Sequence, residues 1–189
     1  ELEAELLYEF HRNGAENSYW PIVASGENAC VLHYQNNDAR LQDGDLVLVD
    51  AGCEYQFYAS DITRTYPING EFTKPQRELY DVVYAANRAA ITKVQPGNHW
   101  NDPHNAAVKE ITLGLRDIGI LSGRLPGLIK TGAYRPFFMH RTGHWLGMDV
   151  HDVGNYKVDE QWRLLEPGMV MTVEPGIYIS GKARDVPKR

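Results

Sequence analysis

The chain has 189 residues, 43% of them hydrophobic and 23% charged, which is typical of one soluble globular domain. Its formal net charge of -6 argues against nucleic acid or an anionic membrane as the main partner, because both favour a basic protein face. No apolar run approaches the roughly 20 residues that cross a bilayer. Cys30 and Cys53 lack metal or redox spacing, so we expect two reduced thiols in a cytoplasmic protein.

The first half of the chain predicts a helix followed by strands. Apolar residues recur at helical spacing from Leu2 to Phe10, and Gly14 is placed to end that helix. An Asp-Gly turn signal at residues 43–44 precedes the apolar run DLVLVD. Three segments predict strands: residues 21–26, 45–50 and 62–68.

The second half predicts two long helices and a final pair of strands. Thr73 and Pro75 are typical of a helix start, and the apolar face that follows runs from Leu79 to Val94. Three ranges complete the prediction: a second helix at 102–121, a loop at 126–136 and strands around a Pro-Gly turn at 170–179. This order indicates an α+β fold with helices on one face of a mainly antiparallel sheet.

Two aspartates frame a predicted hairpin. Asp50 ends the strand DLVLVD, and Asp61 opens the strand DITRTYPI. If the hairpin is centred between Tyr55 and Gln56, the two aspartates lie directly opposite, with Cβ atoms about 4.5–5.5 Å apart. Such a pair of carboxylates repels and favours a bound cation. The alternative is that one aspartate is a turn or cap residue in a different register.

Three histidines lie in one glycine-punctuated segment, H-R-T-G-H-W-L-G-M-D-V-H-D, at residues 140–152. A single histidine is more often a core or surface residue than a ligand. Three together, His140, His144 and His151, favour a functional site. The separation of His144 from His151 is odd, which puts them on opposite faces of a regular strand, so we expect a bend at Gly147.

Glu174 lies in the apolar segment VMTVEPG, where an acid is costly unless it is paired or metal-bound. The alternative is an exposed glutamate at the Pro-Gly turn. Upstream, His33 follows another apolar stretch. Aspartates, one histidine and one glutamate are hard ligands that favour Mn²⁺ or Mg²⁺ over structural zinc. Two such ions can activate water and polarise a carbonyl.

Three motifs in this order, D-A-G with D-I-T-R-T, then G-H-W-L-G-M-D-V-H-D, then V-E-P-G-I-Y, resemble the pita-bread metallopeptidases of family M24. That family includes aminopeptidase P, prolidase, methionine aminopeptidase and creatinase. The stretches S-G-E-N-A-C-V-L-H-Y and H-W-L-G-M-D-V-H-D-V-G are most similar to aminopeptidase P. The resemblance implies a curved, mainly antiparallel sheet with helices on its outer face.

The resemblance also implies a role for each candidate residue. It makes four residues ligands of two divalent ions, preferably Mn²⁺, with Asp61 bridging both ions: Asp50, Asp61, His144 and Glu174. It places three histidines in the substrate site, where they bind the peptide and steady the tetrahedral intermediate: His33, His140 and His151. The implied reaction is hydrolysis of the bond between an N-terminal residue and a following proline.

The family's fifth ligand is a glutamate in an R-x-E motif, and no such motif follows Tyr178 in this sequence. We therefore expect residues 1–189 to be a single, incomplete catalytic domain of a longer, homo-oligomeric protein. In this reading the amino-terminal domain and carboxy-terminal strands are missing and activity is impaired. Two alternatives stay open: an Xaa-Pro dipeptidase (prolidase) of the same fold, and a non-catalytic pita-bread binding module.

Overall fold

The computed structural model describes residues 1–181 and divides the chain into two compact units. The first unit joins Glu1–Phe72 to Trp145–Val153, and the second joins Thr73–His144 to the described residues from Gly154 onward. Within residues 1–181, no helix combines the length and the apolar character needed to cross a membrane. The single-domain organisation stays a prediction.

The first unit contains one α-helix, a 3₁₀ turn at Gly26–Cys30 and two antiparallel sheets. Its elements are α1 (Leu2–Arg12), β1 (Glu16–Asn17), β2 (Ile22–Ser25), β3 (Leu46–Ala51), β4 (Cys53–Tyr55), β5 (Tyr58–Ala59) and β6 (Ile62–Pro67). The strand orders are β1-β4-β5 and β2-β3-β6. All four residues of β2 are buried, as its apolar sequence predicts. The helix and the three predicted strands of this half are therefore confirmed.

The hairpin turn between β4 and β5 differs from the predicted one. Tyr55 pairs with Tyr58, so the turn is centred between Gln56 and Phe57. Both central residues have positive φ, at 50° and 72°. That backbone is typical of a two-residue turn whose twist matches the right-handed twist of its strands. The predicted centre between Tyr55 and Gln56 was wrong, and the register is displaced accordingly.

The second unit is built around its helices. Its elements are α2 (Lys74–Ile91), α3 (Asp102–Asp117), α4 (Leu125–Thr131), β7 (Lys157–Val158) and β8 (Gln161–Trp162). At the start of α2, the Thr73 N–H donates to Gln76 Oε1 at 2.9 Å, one half of a capping box. The core of this unit is apolar: Ala86, Ala90, Ala107, Val108, Ile111, Leu115, Phe137 and Phe138. Both predicted long helices are confirmed.

Two predictions for the second unit were wrong. The expected loop at 126–136 contains most of α4, because Pro126 occupies the first turn, where a missing N–H costs nothing, and Gly132 ends the helix with φ 70°. Residues 170–179 form no strand. They are held by separate backbone bonds, such as that from the Tyr178 N–H to the Phe137 carbonyl at 2.9 Å.

Candidate functional site

Asp50 and Asp61 lie on one face of the first unit, but not directly opposite each other. Asp50 pairs with Thr63, and Asp61 lies just before β6. The predicted direct pairing is therefore wrong by two positions. Side chains alternate faces with a period of two, so a two-residue displacement leaves both carboxylates on the same face. They are diagonal neighbours, a spacing that long side chains still bridge.

The bridge between these carboxylates is Tyr19, which sequence reasoning missed. Its hydroxyl is 2.5 Å from Asp50 Oδ1 and 3.1 Å from Asp61 Oδ1. Burial, followed by the hydrogen bond and negative charge of Asp50, raises the pKa of Tyr19 well above its ordinary value. The phenol therefore stays a donor at neutral pH. It holds one oxygen of each carboxylate towards a common point.

Replacing Tyr19 with phenylalanine is expected to destabilise the metal-stripped protein by about 1–2 kcal/mol, because two close carboxylates lose their shared donor. Urea unfolding in the presence of a chelator measures the change. Tyr8, an exposed tyrosine in α1, provides the matched control. A Tyr19→Phe variant as stable as Tyr8→Phe contradicts the bridging role.

His144 and Glu174 form the corresponding pair in the second unit. His144 Nε2 lies 3.1 Å from Glu174 Oε1. Buried Thr172 connects them: its hydroxyl donates to Glu174 Oε1 at 2.8 Å and accepts the His144 N–H at 3.0 Å. Thr172 and Glu174 are two positions apart in an extended segment, a spacing that shares one face. Sequence reasoning did not use that signal.

Gly143 allows the two segments of this pair to approach closely. The Thr172 N–H donates to the His144 carbonyl at 3.0 Å, and the Glu174 N–H donates to the Thr142 carbonyl at 2.8 Å. A Cβ at position 143 would lie 2.0 Å from the Thr172 carbonyl oxygen. Only glycine fits between these bonds, which explains the T-G-H sequence before the imidazole.

His140 makes hydrogen bonds and a ring contact with other residues of the second unit. Its Nδ1 lies 2.7 Å from the Arg141 carbonyl oxygen, which only accepts, so Nδ1 carries the proton. Its Nε2 lies 3.0 Å from the Tyr178 hydroxyl. Its ring packs edge-to-face with that of Phe138, with the ring centroids 5.1 Å apart. Direct contact of His140 with a peptide therefore requires the Tyr178 hydroxyl to give way.

His104, in α3, anchors the segment before His144 and was also missed from the sequence. Its Nδ1 lies 2.9 Å from the Thr142 hydroxyl. Burial, together with the charges of Arg141 and His140, lowers the pKa of His104 to about 4. The imidazole is therefore neutral at physiological pH, as its contact with a hydroxyl allows.

The stability of the second unit is expected to fall with acid through His104. The unfolded chain binds the proton with a pKa of 6.5 and the folded chain with a pKa of about 4, so the stabilisation is complete above pH 6.5 and is lost as pH falls towards 4. Because the ring is only partly buried, we expect a loss of about 1–2 kcal/mol. Urea unfolding at pH 7 and 4.5 should show this loss in the wild type and a smaller one in His104→Gln. Equal losses contradict the assignment.

The other two histidines predicted for the substrate site lie in the first unit and are exposed. His33 follows the 3₁₀ turn Gly26–Cys30, and His151 lies in the bend that ends the segment from Trp145. The predicted bend at Gly147 is present. The Asp152 N–H donates to the Trp145 carbonyl at 3.1 Å, and a Cβ at Gly147 would lie 2.0 Å from Asp152 Oδ2.

Each unit thus presents donors that suit a divalent cation. In the first unit, two carboxylates converge on one hydroxyl. In the second, an imidazole nitrogen and a carboxylate oxygen lie within hydrogen-bond distance. Oxygen donors with few imidazoles and no thiolate fit Mn²⁺, Mg²⁺ or a similar ion. The assignment of Asp50, Asp61, His144 and Glu174 as ligands stays a prediction.

Comparison with known proteins gives close relatives. The chain is 55% identical over its whole length to the Xaa-Pro aminopeptidase of Haemophilus influenzae, of which it covers 44%. It is 42% identical to the Xaa-Pro dipeptidase of Mus musculus, over 94% of this chain and 40% of that relative. The solved structure of Pseudomonas aeruginosa aminopeptidase PepP matches with a TM-score of 0.97 and 57% identity, over 98% of this chain and 42% of that one.

These matches establish the fold and the family. The structural match confirms the predicted pita-bread fold. The chain spans less than half the length of these relatives. The sequence profile of metallopeptidase family M24 matches residues 1–186, almost the entire chain. The chain therefore belongs to metallopeptidase family M24.

Proposed function

We propose that the full-length protein is an Xaa-Pro aminopeptidase, which hydrolyses the bond between an N-terminal residue and a following proline. The observation that carries this proposal is the 55% identity to the Haemophilus influenzae Xaa-Pro aminopeptidase across the entire chain. The identity to the mouse Xaa-Pro dipeptidase is lower, at 42%. The substrates are peptides with proline in the second position.

The same proposal makes four residues the ligands of two divalent ions, preferably Mn²⁺, with Asp61 bridging: Asp50, Asp61, His144 and Glu174. Two contacts support it. Tyr19 holds the two aspartates towards a common point, and Thr172 holds Glu174 beside His144. When bound, the ions supply Lewis-acid polarisation of the scissile carbonyl and activation of water.

The chain's own residues bind and orient the peptide in this proposal. His33 and His151 have exposed side chains, and in this proposal their imidazoles donate to a peptide carbonyl. With the proton on Nδ1, the Nε2 of His140 accepts, and in this proposal it receives a peptide N–H once the Tyr178 hydroxyl has moved. The donors at positions 33 and 151 offset the charge that develops on the carbonyl oxygen. The tertiary amide of proline lacks the N–H that other peptidases hold.

Peptide cleavage separates this proposal from its alternatives. The full-length protein is stripped with a chelator, reloaded with Mn²⁺, and assayed on Xaa-Pro-Xaa tripeptides and Xaa-Pro dipeptides. Cleavage of tripeptides supports the aminopeptidase. Cleavage of dipeptides alone favours the Xaa-Pro dipeptidase, for which the mouse relative is the argument. Absence of both cleavage and Mn²⁺ binding favours the non-catalytic binding module.

Metal stoichiometry tests the fifth ligand. Residues 1–189 contain the four proposed ligands but no R-x-E motif after Tyr178. We therefore expect the 189-residue chain to bind its second Mn²⁺ at least 10–100-fold more weakly than the full-length protein does, a penalty that even outer-shell losses reach. Calorimetric titration of both proteins measures the difference. Two equally tight sites in the 189-residue chain contradict the proposal, as does retained peptidase activity.

We also propose that residues 1–189 belong to one catalytic domain of a cytoplasmic homo-oligomer. The single family profile that spans residues 1–186 supports the first point. Cys30 and Cys53 are thiols and not a disulfide, which favours a reducing compartment. The net charge of -6 supports peptides over nucleic acid or anionic membranes as partners.

A further inference from the structure

Asn37 uses its side chain as a substitute for a neighbouring strand. Its Oδ1 accepts the Val23 N–H at 2.8 Å, and its Nδ2 donates to the Pro21 carbonyl at 2.7 Å. These are the two bonds that an adjacent backbone would make with one edge of β2. Among residues 1–181, β2 is the outermost strand of its sheet, so this amide pairs with backbone groups on an edge that no described strand covers.

The two bonds of Asn37 flank the β2 residue that pairs with Asp50. In an antiparallel sheet, alternate residues direct their N–H and C=O groups to opposite edges. Pro21 and Val23 face Asn37, while Ile22, between them, pairs with Asp50 in β3. The amide of Asn37 therefore straddles the β2 residue that is the partner of a proposed metal ligand.

The segment held by Asn37 carries His33. Between the 3₁₀ turn and β3, residues 31–45 contain no regular element. Local bonds close the part around His33: the Tyr34 hydroxyl lies 2.8 Å from Asp38 Oδ1, and the Tyr34 N–H donates to the Val31 carbonyl at 3.2 Å. Asn37 itself has φ 49°, a left-handed backbone that asparagine tolerates.

We propose that Asn37 is a positioning residue: it fixes the loop that carries His33 to the edge of β2, in register with Asp50. This inference rests on the proposed role of His33 in binding the peptide. The amide supplies one donor and one acceptor at a fixed spacing, which a carboxylate or a hydroxyl does not reproduce. Most of the loop is exposed and irregular, and these two bonds connect it to the β2 edge of the sheet.

Three variants of the full-length protein distinguish the contribution of the Asn37 side-chain amide from that of its backbone conformation. Asn37→Gly keeps the left-handed conformation and removes both bonds. Asn37→Asp keeps the size and the acceptor, but places an oxygen against the Pro21 carbonyl. Asn36→Gly is the matched control, since Asn36 is its exposed neighbour in the same loop.

Hydrogen exchange tests the anchoring without reference to activity. We expect the Val23 amide and residues 31–38 to exchange at least tenfold faster in Asn37→Gly than in the wild type, with Asn36→Gly unchanged. Unchanged protection of Val23 in Asn37→Gly overturns the inference, whatever the activity. Faster exchange in a protein that cleaves no Xaa-Pro peptide supports the anchoring and refutes the proposed function instead.

Kinetics test whether the anchoring acts through His33. We expect both Asn37 variants to lower kcat/KM for an Xaa-Pro-Xaa peptide about tenfold, while Mn²⁺ affinity stays within twofold of the wild type. In a His33→Ala background, Asn37→Gly should cause no further loss, because residues that act through one another are not additive. A full additional tenfold loss in that background overturns the proposed route through His33.

Discussion

Alanine at position 143 is expected to destabilise the protein by about 3–4 kcal/mol, a large effect for one methyl group. The added Cβ would lie 2.0 Å from the Thr172 carbonyl oxygen, a backbone atom that cannot rotate away. The two segments must separate, and the bonds of His144 and Glu174 to each other's segments are lost with them. Urea unfolding of the full-length protein measures the change.

Gly127 provides the control for this substitution. It lies inside α4, in the same unit, and a Cβ there would meet nothing within 4 Å. Gly127→Ala should leave stability unchanged or raise it by up to about 1 kcal/mol, since alanine is the better helix former. Similar midpoints for the two alanine variants contradict the close approach at Gly143.

Asparagine in place of Asp61 is expected to lower kcat/KM for an Xaa-Pro-Xaa peptide by about 1000-fold or more. The replacement keeps the shape of the side chain but removes the charge of the proposed bridging ligand. Ions that are held more weakly polarise the carbonyl less, and that polarisation is worth several kcal/mol of transition-state stabilisation. Peptide assays in saturating Mn²⁺ and calorimetric titration together measure activity and ion binding.

Asp43→Asn is the matched control, because Asp43 is an exposed aspartate of the same unit, in a turn. It should keep wild-type activity and ion stoichiometry. If Asp61→Asn binds two ions with wild-type affinity, Asp61 is not a ligand. If it binds them normally and is still inactive, the carboxylate acts on the substrate and not on the metal.

The hairpin shows what a sequence pattern determines and what it leaves open. Alternation of apolar and polar residues fixes which face a side chain occupies, and Asp50 and Asp61 do share a face. The turn centre depends on which two residues take positive φ, and here they are Gln56 and Phe57. Neither is glycine, asparagine or aspartate, the residues that normally mark such a turn. The register was therefore not predictable from composition.

The helices were the most predictable elements, because apolar periodicity and end signals agree. The start of α2 is set locally, by the capping box between Thr73 and Gln76. Two prolines bound the segment 126–136 and make it resemble a loop, but Pro126 lies in the first turn of α4, where proline is favoured. Residues 170–179 have the composition of strands, yet pair through isolated bonds to a partner segment that no local pattern identifies.

The candidate site was likewise predictable only in part. The four proposed ligands stood out because carboxylates and histidines in apolar or glycine-rich segments are conspicuous. The residues that hold them did not stand out. Tyr19 lies 31 and 42 positions from the two aspartates that it contacts, and His104 lies 38 positions from Thr142. Tyrosine and histidine are common, and only the fold brings these partners together.

The division of the first unit into two stretches of chain has a consequence for folding during synthesis. Most of that unit leaves the ribosome first, yet the Ala59 N–H in β5 pairs with the Gly147 carbonyl at 2.8 Å, in the stretch Trp145–Val153. The helices α2, α3 and α4 are synthesised in between. The first strands made are thus among the last to be completed. Until then the β5 edge is open to non-native pairing with other nascent chains.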